Sequence, residues 1–393
     1  MNTHTPFFLE KAFLEKLMRD FAPEQEIEIQ HIKTFKIDNS ASILVVLTAQ
    51  ESASEIGHFG LEITFTVSGI SKTQKMVLKV KPHSHEITMM LNNLAQACGG
   101  ELADKYPTYQ EKTGFHHTHQ REQEIYKKMP STLTPTIFGV YTEENKEESK
   151  GLFMILMEYL EDVSLLNAVM QPKDFTDKHI KNTLGSLANW HSFMQPEKLE
   201  KLNAKFWTDT PSKAYMQDLE PLWVALTNNA HLHHPDLYTP KRVAFLQKAI
   251  QNIPKHWEIM DKYPKTLIHN DCNPRNICFK TLNNEPHNKP QLCLYDWELA
   301  TFHAPQYDLV EFLCFTLDKE RHHLRSNYIH EFYEILSGLD NRFSDKTLFL
   351  EVLEISALHF GLQRLGMYMM AHTVSNYPFL PFVVENYFAW FDL

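Results

Sequence analysis

Apolar residues at Phe8, Leu9, Ala12, Phe13, Leu17, Met18 and Phe21 recur at three- and four-residue spacing. This predicts an amphipathic helix over 7–21, with Pro6 suited to its first turn and Pro23 past its end. The period then changes. Residues 27–37, 43–48, 61–67 and 76–80 are short β-branched runs separated by polar turns such as Asp38-Asn39-Ser40 and Ser68-Gly69, and predict a mostly antiparallel sheet. After Pro82 the stripe Ile87, Met90, Leu91, Leu94, Ala95 and Cys98 predicts a helix stopped at Gly99-Gly100. A second helix is expected over 119–129. Strands are expected at 136–141 and 152–160, flanking an acidic turn. Helical periodicity follows from Asp174 for about 90 residues, interrupted by strands at 266–268, 277–280 and 292–295 and resuming from Tyr307 to the end. A strand-rich first third followed by a helical remainder with one embedded hairpin describes an α+β chain of two unequal lobes, with a ligand site expected between them.

Composition narrows the function classes. The 393 residues carry 38 Lys+Arg against 49 Asp+Glu, a formal charge of −11, with no block of basic residues. That excludes a nucleic-acid binder held by bulk charge. With 43% hydrophobic residues, 12 Gly and 20 Pro, the chain has material for a large core and little for linkers. The longest apolar runs fall far short of the ~18 residues of a membrane span. The start lacks the basic and apolar regions of a secretory signal. Five cysteines, an odd number without a CxxC pair, point to reduced thiols and a cytoplasmic protein.

The segment Leu267-Ile268-His269-Asn270-Asp271-Cys272-Asn273-Pro274-Arg275-Asn276 sets His, Asp and Asn at HxDxxxxN spacing between two apolar strands. Twenty residues after Asn276, the run Leu292-Cys293-Leu294-Tyr295 leads into Asp296-Trp297-Glu298. The arrangement resembles the catalytic core of the aminoglycoside phosphotransferase and choline kinase family, whose motifs read approximately HGDxxxxN and D[FW]E. The resemblance implies a bilobal protein-kinase-like fold, with an antiparallel-sheet N-lobe and a mainly helical C-lobe. Residues 1–25 are then an N-terminal helical extension, 26–160 the nucleotide-binding lobe, and 161–393 the lobe with the catalytic loop and Mg²⁺-binding hairpin. Phosphoryl transfer needs a carboxylate that orients the attacking hydroxyl and accepts its proton, and hard oxygen ligands for Mg²⁺. Asp271 suits the first role; Asn276 and Asp296 suit the second. His269 is expected to support the loop by hydrogen bonding, and Asp308, in Tyr307-Asp308-Leu309, to hold the loop backbone. Asn270, Cys272 and Arg275 depart from the family pattern. Arg275 fits either a contact to phosphate or substrate or a surface ion pair.

The same resemblance implies partners for ATP in the first lobe. Met76-Val77-Leu78-Lys79-Val80-Lys81 is similar to the strand that carries the phosphate lysine, with Lys79 in the matching place and Lys81 as the alternative on the same face. Glu122 matches the helix glutamate better than Glu124. The Gly-rich phosphate loop is missing; Ser40 and Ser42 between the first strands offer hydroxyls and backbone N–H groups instead. Met157-Glu158-Tyr159-Leu160 is similar to the interlobe hinge, where the Glu158 carbonyl and Leu160 N–H would meet adenine. Leu187-Ala188-Asn189-Trp190-His191 resembles a structural helix of the family.

Only eleven residues separate Asp296 from Asp308, and no A-P-E segment supports a peptide substrate. The implied activity is therefore transfer of the ATP γ-phosphate to a small-molecule hydroxyl, on an amino alcohol, aminoglycoside or similar compound. Glu351, Glu354, Glu385 and Asp392, in an aromatic-rich C-terminal segment, admit a cationic acceptor. A catalytically silent nucleotide-binding scaffold and a protein kinase of unusual target are the alternatives. His116-His117-Thr118-His119 and His231-Leu232-His233-His234 lack the partners of a zinc site and read as polar helix or loop histidines.

Overall fold

The computed structural model describes residues 6–38, 55–129, 131–143, 151–281 and 290–393. The chain divides into two compact units, one of residues 1–90 and 123–162, the other of residues 91–122 and 163–393. The α+β class expected from the sequence is the class observed: an antiparallel sheet in the first unit and a mainly helical second unit. By packing, residues 91–122 belong to the second unit, because the helix Gly100–Tyr109 lies against the helix Glu220–His233. Among the described residues, no helix is long and apolar enough to cross a membrane.

The first unit is built on strands β1 (Ile27–Phe35), β2 (Gly57–Val67), β3 (Ile70–Pro82), β4 (Ile137–Thr142) and β5 (Leu152–Glu158), in the order β1-β2-β3-β5-β4. Ser68 and Gly69, at φ 50° and 82°, close the β2–β3 hairpin between the paired Val67 and Ile70. Two consecutive left-handed residues make the turn whose twist suits a two-residue hairpin. Alternation sorts β3 by face: Met76, Leu78 and Val80 enter the core with Leu61, Ile63 and Phe65. Helix α1 (Lys11–Phe21) covers that face with Leu14, Leu17 and Met18. Gly139 in β4 is required by this packing, since a Cβ there would stand 2.5 Å from Leu17 Cγ. The expected strand at 43–48, together with Ser40 and Ser42, lies outside the described residues.

In the second unit, β7 (Thr266–Ile268) pairs with β10 (Thr301–His303), and β8 (Ile277–Thr281) lies between β6 (Val163–Ser164) and β9 (Pro290–Leu294). These short strands frame the HxDxxxxN loop and the Asp296 turn. The helix Asp177–Phe193 opens with a capping box formed by Thr176 and His179. Its Trp190 Nε1–H donates to Leu267 O at 2.8 Å, which fastens the loop's entry strand to the helical core.

Candidate active site

Asp308 lies in the first turn of the helix Gln306–Thr316, whose eleven residues are all buried. Its Oδ2 accepts the His269 N–H at 2.8 Å and its Oδ1 the Asn270 N–H at 2.9 Å. Burial pushes the Asp308 carboxyl up to about 7, against these two donors, which favour its charged form. Between those amides the chain turns through Asn270, at φ 59°. Only Gly, and after it Asn and Asp, visit this left-handed region readily, so the departure from Gly at 270 costs the loop little. The Asn270 side-chain Nδ2 also donates to Leu299 O at 2.9 Å.

His269 is fully buried and its ring lies 4.5 Å from Trp297. Its Nε2 is 3.0 Å from Tyr295 O. Burial lowers its pKa, so a neutral ring donates Nε2–H to that carbonyl and ties the loop to the end of β9. Cys272 is buried, and burial holds its thiol neutral.

Asp271 stands at the centre, its side chain 15% exposed. Its Oδ1 accepts from Arg364 Nη2 at 2.6 Å, from Asn273 Nδ2 at 2.9 Å and from the Tyr368 hydroxyl. Its Oδ2 accepts from Asn276 Nδ2 at 2.6 Å. Burial raises the Asp271 pKa, but Arg364, Arg275 and the Tyr368 hydrogen bond outweigh it and hold the carboxyl below its ordinary value. Arg275 therefore acts on Asp271 through charge, and its guanidinium lies 5.9 Å from the Phe379 ring centroid.

Sequence reasoning missed three residues of this arrangement. Arg364 and Tyr368 lie one helical turn apart in Arg364–Val374 and reach Asp271 together. Glu311, fully buried on the Asp308 helix, accepts the Cys272 N–H at 3.0 Å, and its Oε1 lies 3.2 Å from the Tyr368 hydroxyl. Burial, then the Asp271 charge, push Glu311 up to about 8, so at neutral pH it carries a proton. The available signal was charge inside apolar helices: Glu311 in the otherwise apolar run 309–315, and Arg364 after eleven largely apolar positions.

Asp296 follows β9 at φ 65°. One carboxylate oxygen each from Glu122, Asp296 and Glu298 lie within 4.8 Å of one another. Glu122 is fully buried and Glu298 is 5% exposed. Three carboxylates gathered with this little solvent repel one another unless a cation or protons intervene, and hard oxygen donors suit Mg²⁺. Asn276, 6% exposed, spends its amide nitrogen on Asp271, and its amide oxygen is of the same donor class. The residues present therefore fit the expected metal, with Glu298 added and Glu122 among the carboxylates.

In the first unit, Lys79 and Lys81 are buried at 7% and 6% exposure, on the face of β3 opposite Leu78 and Val80. Glu158 ends β5, and its Oε1 accepts the Thr136 N–H at 2.8 Å; Leu160 follows two residues later. The histidine clusters serve packing. The His116 and His117 rings are 4.5 Å apart, His231 Nδ1 is 2.6 Å from Tyr238 O, and His234 stacks on His372.

A small cavity adjoins Asp271 within the second unit, lined by Asn270 and Arg364 and, farther round, by Arg121, Asp209, Tyr215 and Trp223. Arg121 pairs with Asp209 and donates to Phe206 O at 2.8 Å and Gly114 O at 3.0 Å. The acidic residues expected to attract a cation do not line it: Glu385 pairs with Arg242 at 2.6 Å, and Glu351, Glu354 and Asp392 are exposed.

Comparison with known proteins places the chain in a family. Similar solved structures include an ethanolamine kinase from Plasmodium vivax (13% identity, 92% of this chain and 82% of that one, TM-score 0.45). A glucosamine kinase is similar at 10% identity over 93% and 81% of the two chains, with TM-score 0.44. An aminoglycoside phosphotransferase from Streptomyces rimosus, solved with ADP and streptomycin, is similar at 12% identity over 81% and 99%, with TM-score 0.39. No curated protein matches the chain. The model of the phosphotransferase enzyme family matches residues 102–338, well over half of the sequence, and the chain belongs to that family.

Proposed function

We propose that the protein is an ATP-dependent phosphotransferase that moves the γ-phosphate to a hydroxyl of a small molecule. The observation that carries this reading is the placing of Asp271. Its loop is fixed from behind by Asp308, Asn276 holds its Oδ2, and its carboxyl stays ionised. An ionised, immobilised carboxylate orients an acceptor hydroxyl and takes its proton as the oxygen attacks phosphorus. The bond from the γ-phosphorus to the ADP oxygen breaks as the new phosphorus–oxygen bond forms, and the proton passes from Asp271 to solvent. The low basicity of Asp271 suits orientation and brief proton acceptance more than storage of the proton.

Asp296, Asn276 and the neighbouring carboxylates Glu122 and Glu298 are the residues that would hold Mg²⁺, which supplies charge neutralisation on the phosphates. His269 and Asp308 position the loop and do not exchange protons with substrate. In the first unit, Lys79, with Lys81 as the alternative, serves the phosphates. Ser40 and Ser42 serve as hydrogen-bond donors to the phosphates, and the Glu158 carbonyl and Leu160 N–H as adenine partners. Five free, buried cysteines suit a reducing compartment, and we place the protein in the cytoplasm.

The test is acceptor-stimulated, Mg²⁺-dependent ADP release in a screen of hydroxyl compounds. Stimulation by one of them supports the reading. ATP binding with silence throughout supports a nucleotide-binding scaffold instead.

A further inference from the structure

Two residues that line the cavity beside Asp271 each carry a buried polar atom without a hydrogen-bond partner among the described residues. One is Arg364 Nε; its side chain is 9% exposed, and its Nη2 is already bound to Asp271. The other is Asp209 Oδ2, on a side chain 8% exposed whose other oxygen is paired with Arg121. A buried donor or acceptor left unmet costs about 1–3 kcal/mol, so a ligand meeting both gains affinity from two fixed points. The aromatic residues of the lining have their polar atoms committed. The Tyr215 hydroxyl donates to Lys112 O at 2.6 Å and Trp223 Nε1–H to Met216 O at 3.2 Å, which leaves carbon surface toward a ligand.

Charge narrows the class. Two guanidinium groups, Arg364 and Arg121, line the cavity, and Asp209 is the one carboxylate among its described lining residues, already opposed by Arg121. Asp271 is opposed by Arg364 and by the nearby Arg275. An ammonium group here would meet like charge on Arg364, whereas a carboxylate would receive a charge-assisted hydrogen bond from its Nε–H.

Resting on the phosphotransferase reading above, we propose that the acceptor is a compact polyhydroxy acid, with its carboxylate on Arg364, one hydroxyl donating to Asp209 Oδ2 and another presented to Asp271. Arg364 is then specificity-determining as well as a positioning residue for Asp271, and Asp209 selects the second hydroxyl.

The experiment compares matched acceptors: glycerate against glycerol, gluconate against sorbitol, with ethanolamine, choline and glucosamine as amines. In the wild-type protein each acid is expected to exceed its polyol in kcat/KM by about tenfold or more, the worth of one charge-assisted hydrogen bond, and to exceed the amines further. Arg364→Gln is expected to lower kcat for every acceptor and, through KM, to abolish the preference of acid over polyol. An amine or a polyol equal to the acids, or an acid-to-polyol ratio untouched by Arg364→Gln, overturns the inference while leaving the phosphotransferase reading standing. Phosphorylation of none of these compounds overturns the acid assignment, and the phosphotransferase reading falls with it only if the wider acceptor screen is also silent. The wild-type ranking needs no variant to fold. Tryptophan fluorescence gives a readout without turnover: titration with gluconate is expected to produce a saturable change in the wild type and none in Arg364→Gln, and the lack of a wild-type response counts against the acid.

Discussion

At Asp271 a single carboxylate carries four hydrogen bonds from two elements, its own loop and the helix Arg364–Val374, and each donor has a separable consequence. Asp271→Asn keeps the size and removes the charge and the proton acceptor. Transfer is expected to fall by at least about 100-fold with ATP binding retained, measured as kcat beside a nucleotide titration. Tyr368→Phe removes one donor from Oδ1 and the link to Glu311. The expected result is a small loss of stability and an upward shift in the acidic limb of the kcat–pH profile, since the carboxyl loses a bond that favours its charged form. Asp308 acts on stability more than on chemistry. Asp308→Ala leaves the buried His269 N–H and the part-buried Asn270 N–H without an acceptor and is expected to cost about 3 kcal/mol in denaturant unfolding, with Asp308→Asn losing less. The HxDxxxxN residues were legible in the sequence because they sit within eight positions of one loop. The reason Asn stands at 270 emerges only from its backbone angle. Arg364, Tyr368 and Glu311 were not legible, because their partners lie between 39 and 97 positions away and no local periodicity reports such a meeting.

At the scale of elements, strands and helices followed the periods of their sequences wherever one face is buried. β3 separates Met76, Leu78 and Val80 from Lys79 and Lys81, and α1 lays Leu14, Leu17 and Met18 on the sheet. The division of residues 91–122 from the sheet was not legible, since their stripe fits a sheet or a helix equally well and only the partner decides. Helix packing in the second unit relies on close approach. Gly361, in the helix Lys346–Leu362, faces the Tyr387 hydroxyl of the helix Leu380–Phe388, and a Cβ there would overlap it. Gly361→Ala is expected to destabilise by about 2 kcal/mol, and adding Tyr387→Phe to restore part of that, since this hydroxyl has no hydrogen-bond partner among the described residues. Equal denaturation midpoints for wild type and Gly361→Ala would contradict this packing.

For the whole molecule, buried titratable groups bend the stability curve in both directions. Burial lowers His191 and His303 to about 3 and His359 well below its ordinary value, so the unfolded chain binds protons below pH ~6.5 that the folded chain refuses. Stability is thus lost as pH falls through 6.5. Glu311 and Asp308 do the opposite. Raised to about 8 and about 7, they hold protons in the folded state that the unfolded state has released by pH ~5, so their contribution is lost as pH rises toward 8. The two trends predict greatest stability near pH 6.5. Thermal unfolding across pH 4–9 checks this, and Glu311→Gln is expected to flatten the alkaline side. The net charge of −11 gives no attraction for ATP, so on the proposed reading binding would fall to local cations, and the site charges would set the acceptor's class more than the overall field. The central claim is that Asp271 and Asp296 perform Mg²⁺-dependent phosphate transfer. Its most direct test is acceptor-stimulated ADP release from ATP and Mg²⁺ by the wild type, Asp271→Asn and Asp296→Asn, each shown to be folded by circular dichroism. The account predicts release by the wild type alone, abolished by chelation of Mg²⁺; variants that transfer phosphate as fast as the wild type would contradict it.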